Sequence, residues 1–247
     1  MAHTKKSPRN GLVSMFPNNL FDNPERLERL MDIAQSSFLP LVKGALTFTL
    51  LLSVVSFALG LILAVLTALA RLSHSRILHG IARFYVSIIR GTPLLVQLFI
   101  IFYGLPSIGI IIDPFPAAVI GFSLSVGAYG SEIVRAAILS IPKGQWEAAF
   151  SIGMSYTQAL RRIILPQAAR VSVPPLSNSF ISLVKDTSLA ATILVSEMFR
   201  KAQEIAAATY EPLLIYSEAA LIYWVLCMVL AALQDKVEKR LDRYVAK

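Results

Sequence analysis

The stretch EAAFSIGMSYTQALRRIILP, residues 147–166, lies between two long apolar segments of the chain. Within it, Glu-Ala-Ala at 147–149 is followed after three residues by Gly153, and after nine more residues by I-x-L-P at 163–166. Apolar segments alone indicate a membrane protein. Residues 147–166 are polar and basic by contrast, which is typical of a loop outside the bilayer.

The first half of this loop, which we take as residues 141–166, is predicted to form a short helix. Pro142 suits a first helical position, because the N–H that proline lacks has no partner there in any case. The helix is therefore predicted over residues 142–152, and Gly153 fits its C-terminal end.

A second short helix is predicted to start at Ser155. Ser155 and Gln158 have the spacing of a capping box, in which each side chain binds the backbone N–H of the other residue. This helix is predicted to stop near Leu165, because Pro166 cannot continue it without the loss of a backbone hydrogen bond.

The residue types of the loop suit insertion into a groove of a partner protein. Ala148 and Ala149 are small enough for close backbone approach, and Phe150 and Met154 supply an apolar anchor four residues apart. Glu147 can meet a cation of the partner. The candidate coupling residues are Glu147, Ala148, Ala149, Phe150, Gly153 and Met154. The alternative is an ordinary amphipathic cytoplasmic loop.

The loop resembles the cytoplasmic loop of ABC importer permeases in its spacing. In both, EAA is followed after three residues by Gly and after nine more by I-x-L-P. This resemblance implies an all-α integral membrane protein of the type I ABC importer permease fold, with five transmembrane helices and the loop as coupling helix. Residues 90–97, RGTPLLVQ, and 182–191, SLVKDTSLAA, resemble the polar amino acid (histidine, glutamine and arginine) subgroup. Over residues 36–240 the resemblance is closest to bacterial L-cystine permeases.

The resemblance also implies partners. A dimer of ABC ATPase subunits would bind the loops of two permease copies, expected to be a homodimer, and a periplasmic or extracellular binding protein would deliver the amino acid. No catalytic residue, cofactor or metal is expected in this chain, and no G-x-x-x-x-G-K-[ST] motif for ATP occurs in it. Relatives commonly start near Met31, so residues 1–30 are expected to be an extension.

Composition agrees with a membrane protein. Of 247 residues, 55% are hydrophobic and only 15% are charged, against about 25% charged in an average soluble protein. The net charge of +8 does not indicate a nucleic-acid partner, because the cations lie in short segments beside apolar ones and form no basic face of a soluble domain. The single cysteine, Cys227, allows no internal disulfide and no cysteine metal cluster.

Five apolar spans are predicted, and each is long enough to cross a bilayer. They cover residues 44–70, 84–103, 116–138, 176–195 and 213–233. The connections after the first, third and fifth spans are rich in Lys and Arg, which places them in the cytoplasm. The N-terminus is then periplasmic and the C-terminus cytoplasmic in a bacterial inner membrane, although the N-terminal segment is itself basic. Residues 1–40 are predicted to be a polar tail and an interfacial amphipathic helix, and residues 41–247 the permease domain.

Polar groups inside the spans mark a candidate substrate pathway, because charges there need partners or water. The candidates are Arg90, Thr92, Gln97, Ser179, Ser182, Lys185 and Asp186. In one interpretation Arg90 and Lys185 pair with Asp186 or Glu132 and fix helix packing; in the other, they hold the charged ends of a zwitterionic substrate. Pro93 predicts an interrupted helix at RGTP, and Glu132 and Arg135 are predicted to form an i,i+3 pair.

Two other function classes compete with the importer. A secondary transporter driven by an ion gradient would favour more spans and inverted repeats, which five spans and one docking loop fit poorly. An intramembrane enzyme would need a catalytic set within the membrane, whereas His3, His74 and His79 all lie outside the predicted spans.

Overall fold

The computed structural model describes residues 24–242, with side chains described as far as residue 240. Every regular element in this part of the chain is helical, which confirms the all-α prediction. Of the expected N-terminal extension, residues 1–30, the first 23 residues lie outside the described part of the chain.

The N-terminal helix is longer than the sequence predicted. Helix α1, Pro24–Gly44, continues through a π-helical turn, Ala45–Thr49, into α2, Leu50–Leu72. The amphipathic segment is helical as expected, but the helix does not end at residue 40, because Leu41 and Ala45 are buried in a core cluster with Met198 and Ile215 and this packing holds the helix across Gly44. The boundary drawn between residues 40 and 41 is therefore not a break in the helix.

The second predicted span is bent. Helix α3, Arg76–Gly91, is followed by α4, Leu94–Phe99, and by π and 3₁₀ turns that run to Ile108. The two parts meet at an angle of 104°. The break predicted at RGTP is confirmed, because Thr92 is extended (φ −123°, ψ 147°) before Pro93, as the residue before a proline prefers. The predicted span over residues 84–103 therefore consists of two helices that meet at this break.

The remaining chain forms the third span, the loop and two further long segments. The elements are α5 Pro114–Ser140, α6 Lys143–Ser151, α7 Tyr156–Ala159, a π turn Leu160–Ile164, α8 Leu165–Asp186, a 3₁₀ segment Thr187–Ile193, α9 Met198–Thr209 and α10 Pro212–Asp242. By length and composition, three helices in the described part of the chain can each cross a membrane, and five spans result when each of two bent pairs counts as one.

The expected stop near Leu165 was wrong. The helix that begins at Tyr156 passes through the π turn into α8, and Pro166 stands in the first turn of that helix. Proline is tolerated there because the π turn before it changes the hydrogen-bonding pattern, so the missing N–H leaves little unsatisfied. The loop is therefore joined without a gap to α8.

Helices α2 and α5 pack along a seam of small residues. Gly60 and Ala64 of α2 face Val126 and Gly130 of α5, and a Cβ at Gly60 would lie 2.5 Å from the Val126 Cβ. Ser123 donates a hydrogen bond to the backbone oxygen of Ser56 at 3.2 Å. Small residues permit this close approach of helices in membranes, and we call the contact the α2–α5 seam.

Candidate coupling loop and transport cavity

The turn between the two short helices of the loop has a defined backbone geometry. Gly153 lies in the left-handed region at φ +79°. The Gly153 N–H donates to the oxygen of Phe150 at 2.9 Å, and the Met154 N–H to that of Ala149 at 3.1 Å. These two bonds make a Schellman motif, so the predicted role of Gly153 as helix terminator is confirmed. The first helix, α6, spans Lys143–Ser151 with Pro142 as its N-cap.

The second helix begins with the predicted capping box. The Ser155 N–H donates to the Gln158 Oε1 at 2.9 Å, and the Gln158 N–H donates to the Ser155 Oγ at 3.4 Å. The Trp146 ring stacks on that of Tyr156 with 5.2 Å between centroids. This stacking joins the two short helices, so the loop holds one shape by its own contacts.

The candidate coupling residues do not all face outward. Phe150, Glu147 and Ala148 are exposed, Met154 is half-buried, and Ala149 is only 3% exposed. Ala149 therefore packs against the chain itself. Sequence reasoning missed Ile152, which is 74% exposed and is the most exposed apolar side chain of the loop. The sequence signal for its exposure was its position directly before Gly153, which ends the helix.

A cavity of about 400 Å³ opens between α5, α8 and the start of α4. Its polar wall consists of Ser125, Tyr129, Ser179, Ser182 and Asp186. The three residues of α8 recur at helical spacing, so they share one face. Ser179, Ser182 and Asp186 of the predicted pathway set are thus together on this cavity.

Lys185 lies apart from Asp186, although the two are adjacent in sequence. Neighbouring residues of an α-helix point about 100° apart, and Lys185 lines a second groove of about 590 Å³ with Ser188, Tyr223 and Cys227. Within this chain the two charges therefore border different spaces.

Thr92 and Gln97 are occupied by the helix break. The Gln97 Nε2 donates to the oxygen of Ile89 at 2.8 Å and to the Thr92 Oγ1 at 2.9 Å. The Thr92 hydroxyl in turn donates to the oxygen of Ile88 at 2.9 Å. These side chains satisfy carbonyls that the break at Pro93 leaves without a donor, and neither lines the cavity.

Arg90 pairs with Glu132, one of the two partners left open by the sequence. The Arg90 Nη1 lies 3.1 Å from the Glu132 Oε1. The predicted i,i+3 pair is confirmed, because Arg135 donates to the Glu132 Oε2 at 2.9 Å. Arg71, a partner that the sequence pattern did not indicate, also donates to Oε1 at 2.5 Å. Its position at the end of α2 was the available signal.

Glu197 is a buried acid that sequence reasoning missed. It caps α9 by accepting the backbone N–H groups of Phe199 at 2.8 Å and Arg200 at 2.7 Å. Tyr223 of α10 donates its hydroxyl to the same carboxylate at 3.0 Å, and Thr49 of the π turn donates at 3.4 Å. The carboxylate therefore joins three helices. The sequence signal for its capping role was the position of Glu197 directly before a new helical pattern.

Comparisons with known proteins agree with this geometry. A model of the family described as "Binding-protein-dependent transport system inner membrane component" matches residues 56–243. The L-cystine transport system permease protein TcyB of Bacillus subtilis (strain 168) is 60% identical over 217 residues, which cover 87% of this chain and 93% of that protein. The glutamine transport system permease protein GlnP of Escherichia coli (strain K12) is 40% identical over 203 residues, covering 81% and 92%.

A solved structure extends the similarity to three dimensions. The crystal structure of an amino acid ABC transporter with histidines superposes with a TM-score of 0.76 at 32% identity, and the match covers 88% of this chain and 98% of that one. The chain therefore belongs to the family of inner membrane components of binding-protein-dependent transport systems, as a multi-pass ABC importer permease.

Proposed function

We propose that this chain is the membrane-spanning subunit of an ATP-driven importer of polar amino acids and that its substrate is L-cystine. The observation that carries the proposal is the 60% identity to an L-cystine permease, over 93% of that protein's length. The similarity to a glutamine permease supports the broader substrate class.

The energy comes from a separate protein in this proposal. Two ATPase subunits bind the coupling loops of two permease copies, a homodimer, and a binding protein delivers the amino acid from outside. ATP closes the ATPase dimer, and the loops carry that displacement into the spans as a rigid-body movement. Support comes from the exposed Phe150 and Ile152 on a loop whose shape is fixed by its own hydrogen bonds.

The pathway follows the cavity between α5 and α8. Asp186 there can receive the ammonium group of an amino acid, and the hydroxyls of Ser179 and Ser182 can replace water around polar groups. Thr92 and Gln97 belong to the pathway as the support of the helix break, and Lys185 serves the neighbouring groove.

The coupling loop and the C-terminus face the cytoplasm in this proposal, and the N-terminus faces the periplasm. Thiol labelling of whole cells with a membrane-impermeant reagent tests the orientation, in a Cys227→Ser background that removes the native thiol. Ser107→Cys, between α4 and α5, should label in intact cells, and Ser151→Cys only after lysis. The reverse pattern would place the loop outside and end the proposal.

Uptake in proteoliposomes tests the function itself. The permease, its ATPase and its binding protein are reconstituted, and uptake of radiolabelled L-cystine, L-arginine and L-glutamine is compared with and without ATP. We expect ATP-dependent uptake with L-cystine as the best substrate. Uptake driven by an ion gradient without ATP would support a secondary transporter instead, and preference for another amino acid would reject cystine.

Glu147→Arg tests the coupling role of the loop. Glu147 is exposed, so the variant should fold and insert as the native chain does. If Glu147 meets a cation of the ATPase, charge reversal should uncouple ATP hydrolysis from uptake. The ratio of transported amino acid to ATP hydrolysed is the measurement, with Glu147→Gln as the milder comparison. A native ratio in both variants would remove Glu147 from the coupling surface.

A further inference from the structure

A groove of about 450 Å³ opens between α2, α8 and α10. Helix α8 forms its floor, because it contacts both neighbours. The ring centroids of Phe180 and Phe57 lie 5.2 Å apart, and the Gln234 amide donates to the Asn178 Oδ1 at 3.1 Å. The lining is apolar apart from Ser177 and Gln234. The pathway residues predicted from the sequence lie elsewhere, so the proposed transport does not use this groove.

Helix α10 is the least covered of the long spans and forms one wall of the groove. Only 11% of its most apolar 18 residues are buried, against 61% in α5. Leu233 and Val237, which line the groove, are 51% and 47% exposed. In the membrane this wall is therefore covered by lipid or by another protein chain.

The side chains of the groove favour a lipid over a second copy of the protein. Helices that associate in a membrane approach each other through small residues, as α2 and α5 do at Gly60 and Gly130. The groove is lined instead by large side chains such as Phe57, Phe180 and Leu230. A helix with its side chains is about 10 Å wide, so it would rest on these side chains without filling the space between them. A flexible acyl chain can enter that space.

The depth of the groove matches one leaflet of a bilayer. Leu230, at its inner end, lies ten residues from Arg240, which is about 15 Å along a helix. The hydrocarbon core of a bilayer is about 30 Å thick, so this length is half of it. The outer end of the groove lies on the side of the coupling loop, because α8 begins directly after that loop.

Two arginines stand where this end of the groove reaches the membrane surface. Arg170 precedes Val173 by three residues on α8, and Arg240 follows Val237 by three residues on α10, so each shares a helix face with a lining residue. Both side chains are exposed. Neither forms an ion pair or a hydrogen bond within the described part of the chain. Two cations at the end of an apolar groove are complementary to an anionic headgroup.

Glu238 is an acid at the same end of α10, but it lies on another side of the helix. Its carboxylate accepts the Gln234 Nε2 at 2.7 Å, and the same nitrogen bonds Asn178 of α8. Arg240 follows Leu233 by two turns and is therefore on the exposed side of the groove wall. The open side of the groove thus carries the arginine, and the acid lies on the side of the Gln234 contact.

We propose that this groove binds one acyl chain of an anionic phospholipid from the leaflet beside the coupling loop, with the lipid phosphate held by Arg170 and Arg240. Basic side chains between spans recognise anionic headgroups, and the arginine fork matches the geometry of phosphate. The bound lipid joins α10 to α2 and α8. The site takes part neither in substrate recognition nor in coupling, so it adds to the proposed function and does not depend on it.

Native mass spectrometry of the full chain, purified in detergent, tests the site. The chain is titrated with phosphatidylglycerol, which is anionic, and with phosphatidylcholine of the same acyl chains, which is zwitterionic. We expect one tightly bound phosphatidylglycerol per chain, with a Kd about tenfold lower than that of phosphatidylcholine, because basic side chains at a membrane surface attract anionic lipids. Equal Kd values for the two lipids would overturn the proposal.

The headgroup contact is tested by two double variants that lose the same charge. Arg170→Gln with Arg240→Gln should abolish the preference for phosphatidylglycerol. Arg161→Gln with Arg162→Gln changes two exposed arginines of the π turn after α7 and should keep that preference. Equal loss in both double variants would mean that the net charge of the chain sets the preference, and no specific site would remain.

The acyl-chain contact is tested by filling the groove. Leu233→Trp should weaken phosphatidylglycerol binding about tenfold, because the larger ring occupies the space of the chain. Met228→Trp is the control, since Met228 points about 140° away on the same helix. Both native side chains are 51% exposed, so both variants should fold. Native lipid binding in Leu233→Trp would show that the chain does not enter the groove.

The alternative occupant, a second copy of the chain, is tested by cross-linking in membranes. Leu233→Cys is introduced in a Cys227→Ser background and oxidised. We expect the chain to remain monomeric on a non-reducing gel, because lipid covers this wall. A disulfide-linked dimer would assign the groove to the second copy and overturn the lipid site. None of these measurements involves transport, so the proposed function stands or falls separately.

Discussion

The coupling loop differs from two other parts of the molecule, the contacts around Glu197 and the α2–α5 seam, in the sequence distance between the residues that bond. In the loop, the decisive bonds join near neighbours, such as Met154 to Ala149 and Ser155 to Gln158. At the other two sites they join distant parts of the chain. The bond from Ser123 to Ser56 spans 67 positions, and the bond from Thr49 to Glu197 spans 148 positions. A change in the loop should therefore act locally, whereas a change at a long-range contact should act on the whole fold.

The largest effect is expected at Glu197. Glu197→Ala leaves two backbone N–H groups and the hydroxyls of Tyr223 and Thr49 without their acceptor in a buried site. Each unsatisfied group costs about 1–3 kcal/mol, so we expect a loss of several kcal/mol and a large drop in the Tm of the detergent-purified chain. Glu197→Gln keeps the acceptor oxygen and should lose much less.

A comparison at an exposed acid of the same helix sharpens this prediction. Glu204 bonds Lys201 at 2.8 Å on the surface of α9, and exposed pairs of this kind contribute about 0–1 kcal/mol. Glu204→Ala should therefore change the Tm little. Equal Tm values for Glu197→Ala and Glu204→Ala would mean that the buried carboxylate does not hold the three helices together.

The next effect is expected in the seam. A Cβ at Gly60 would lie 2.5 Å from the Val126 Cβ and 3.0 Å from the Ser123 oxygen, so Gly60→Ala must push α2 from α5. Overpacking of this kind costs about 1–3 kcal/mol. Gly80→Ala in α3 meets nothing within 4 Å and should be neutral or slightly stabilising. Thermal unfolding of both variants is the measurement, and an unchanged Gly60→Ala would show that the seam yields without cost.

The same contrast explains what could be predicted from the sequence. The Schellman turn at Gly153, the capping box at Ser155 and the break at Pro93 follow from steric and hydrogen-bonding rules that act within about five residues. Local sequence patterns therefore determine such features without help from the tertiary packing. For that reason the glycine turn and the start of the second loop helix were predicted at the correct residues, and the spacing of the loop resembled that of a family.

Long-range features were predicted in kind but not in detail. The sequence left Arg90 with two possible partners, because nothing local decides between Glu132 and Asp186. It grouped Lys185 with Asp186, although a helix turns the two to different spaces. It also ended the second loop helix near Leu165, because the π turn that accommodates Pro166 includes the buried Ile164, whose core neighbours are distant in sequence.

A smaller effect is expected at the loop turn, where a matched pair of glycines isolates backbone conformation. A Cβ at Gly153 or at Gly144 would meet nothing within 4 Å, but only Gly153 has a positive φ, of +79°. Gly153→Ala should cost about 1–2 kcal/mol, while Gly144→Ala within α6 should gain up to about 1 kcal/mol. Hydrogen exchange of the amides of α6 measures both. Equal exchange in the two variants would mean that the turn is not held in its left-handed form.

The smallest effect is expected at the capping box. Ser155→Ala removes the acceptor of the Gln158 N–H and should cost about 1 kcal/mol. Because the box closes within four residues, the loss should appear as faster exchange of the amides of α7, with little change in the Tm of the whole chain. Thr157→Ala, at the second residue of the same helix, is the control. A drop in Tm as large as that of Gly60→Ala would mean that the loop and the packed spans unfold as one unit. A loop coupled so tightly to the spans would transmit a displacement to them almost undiminished.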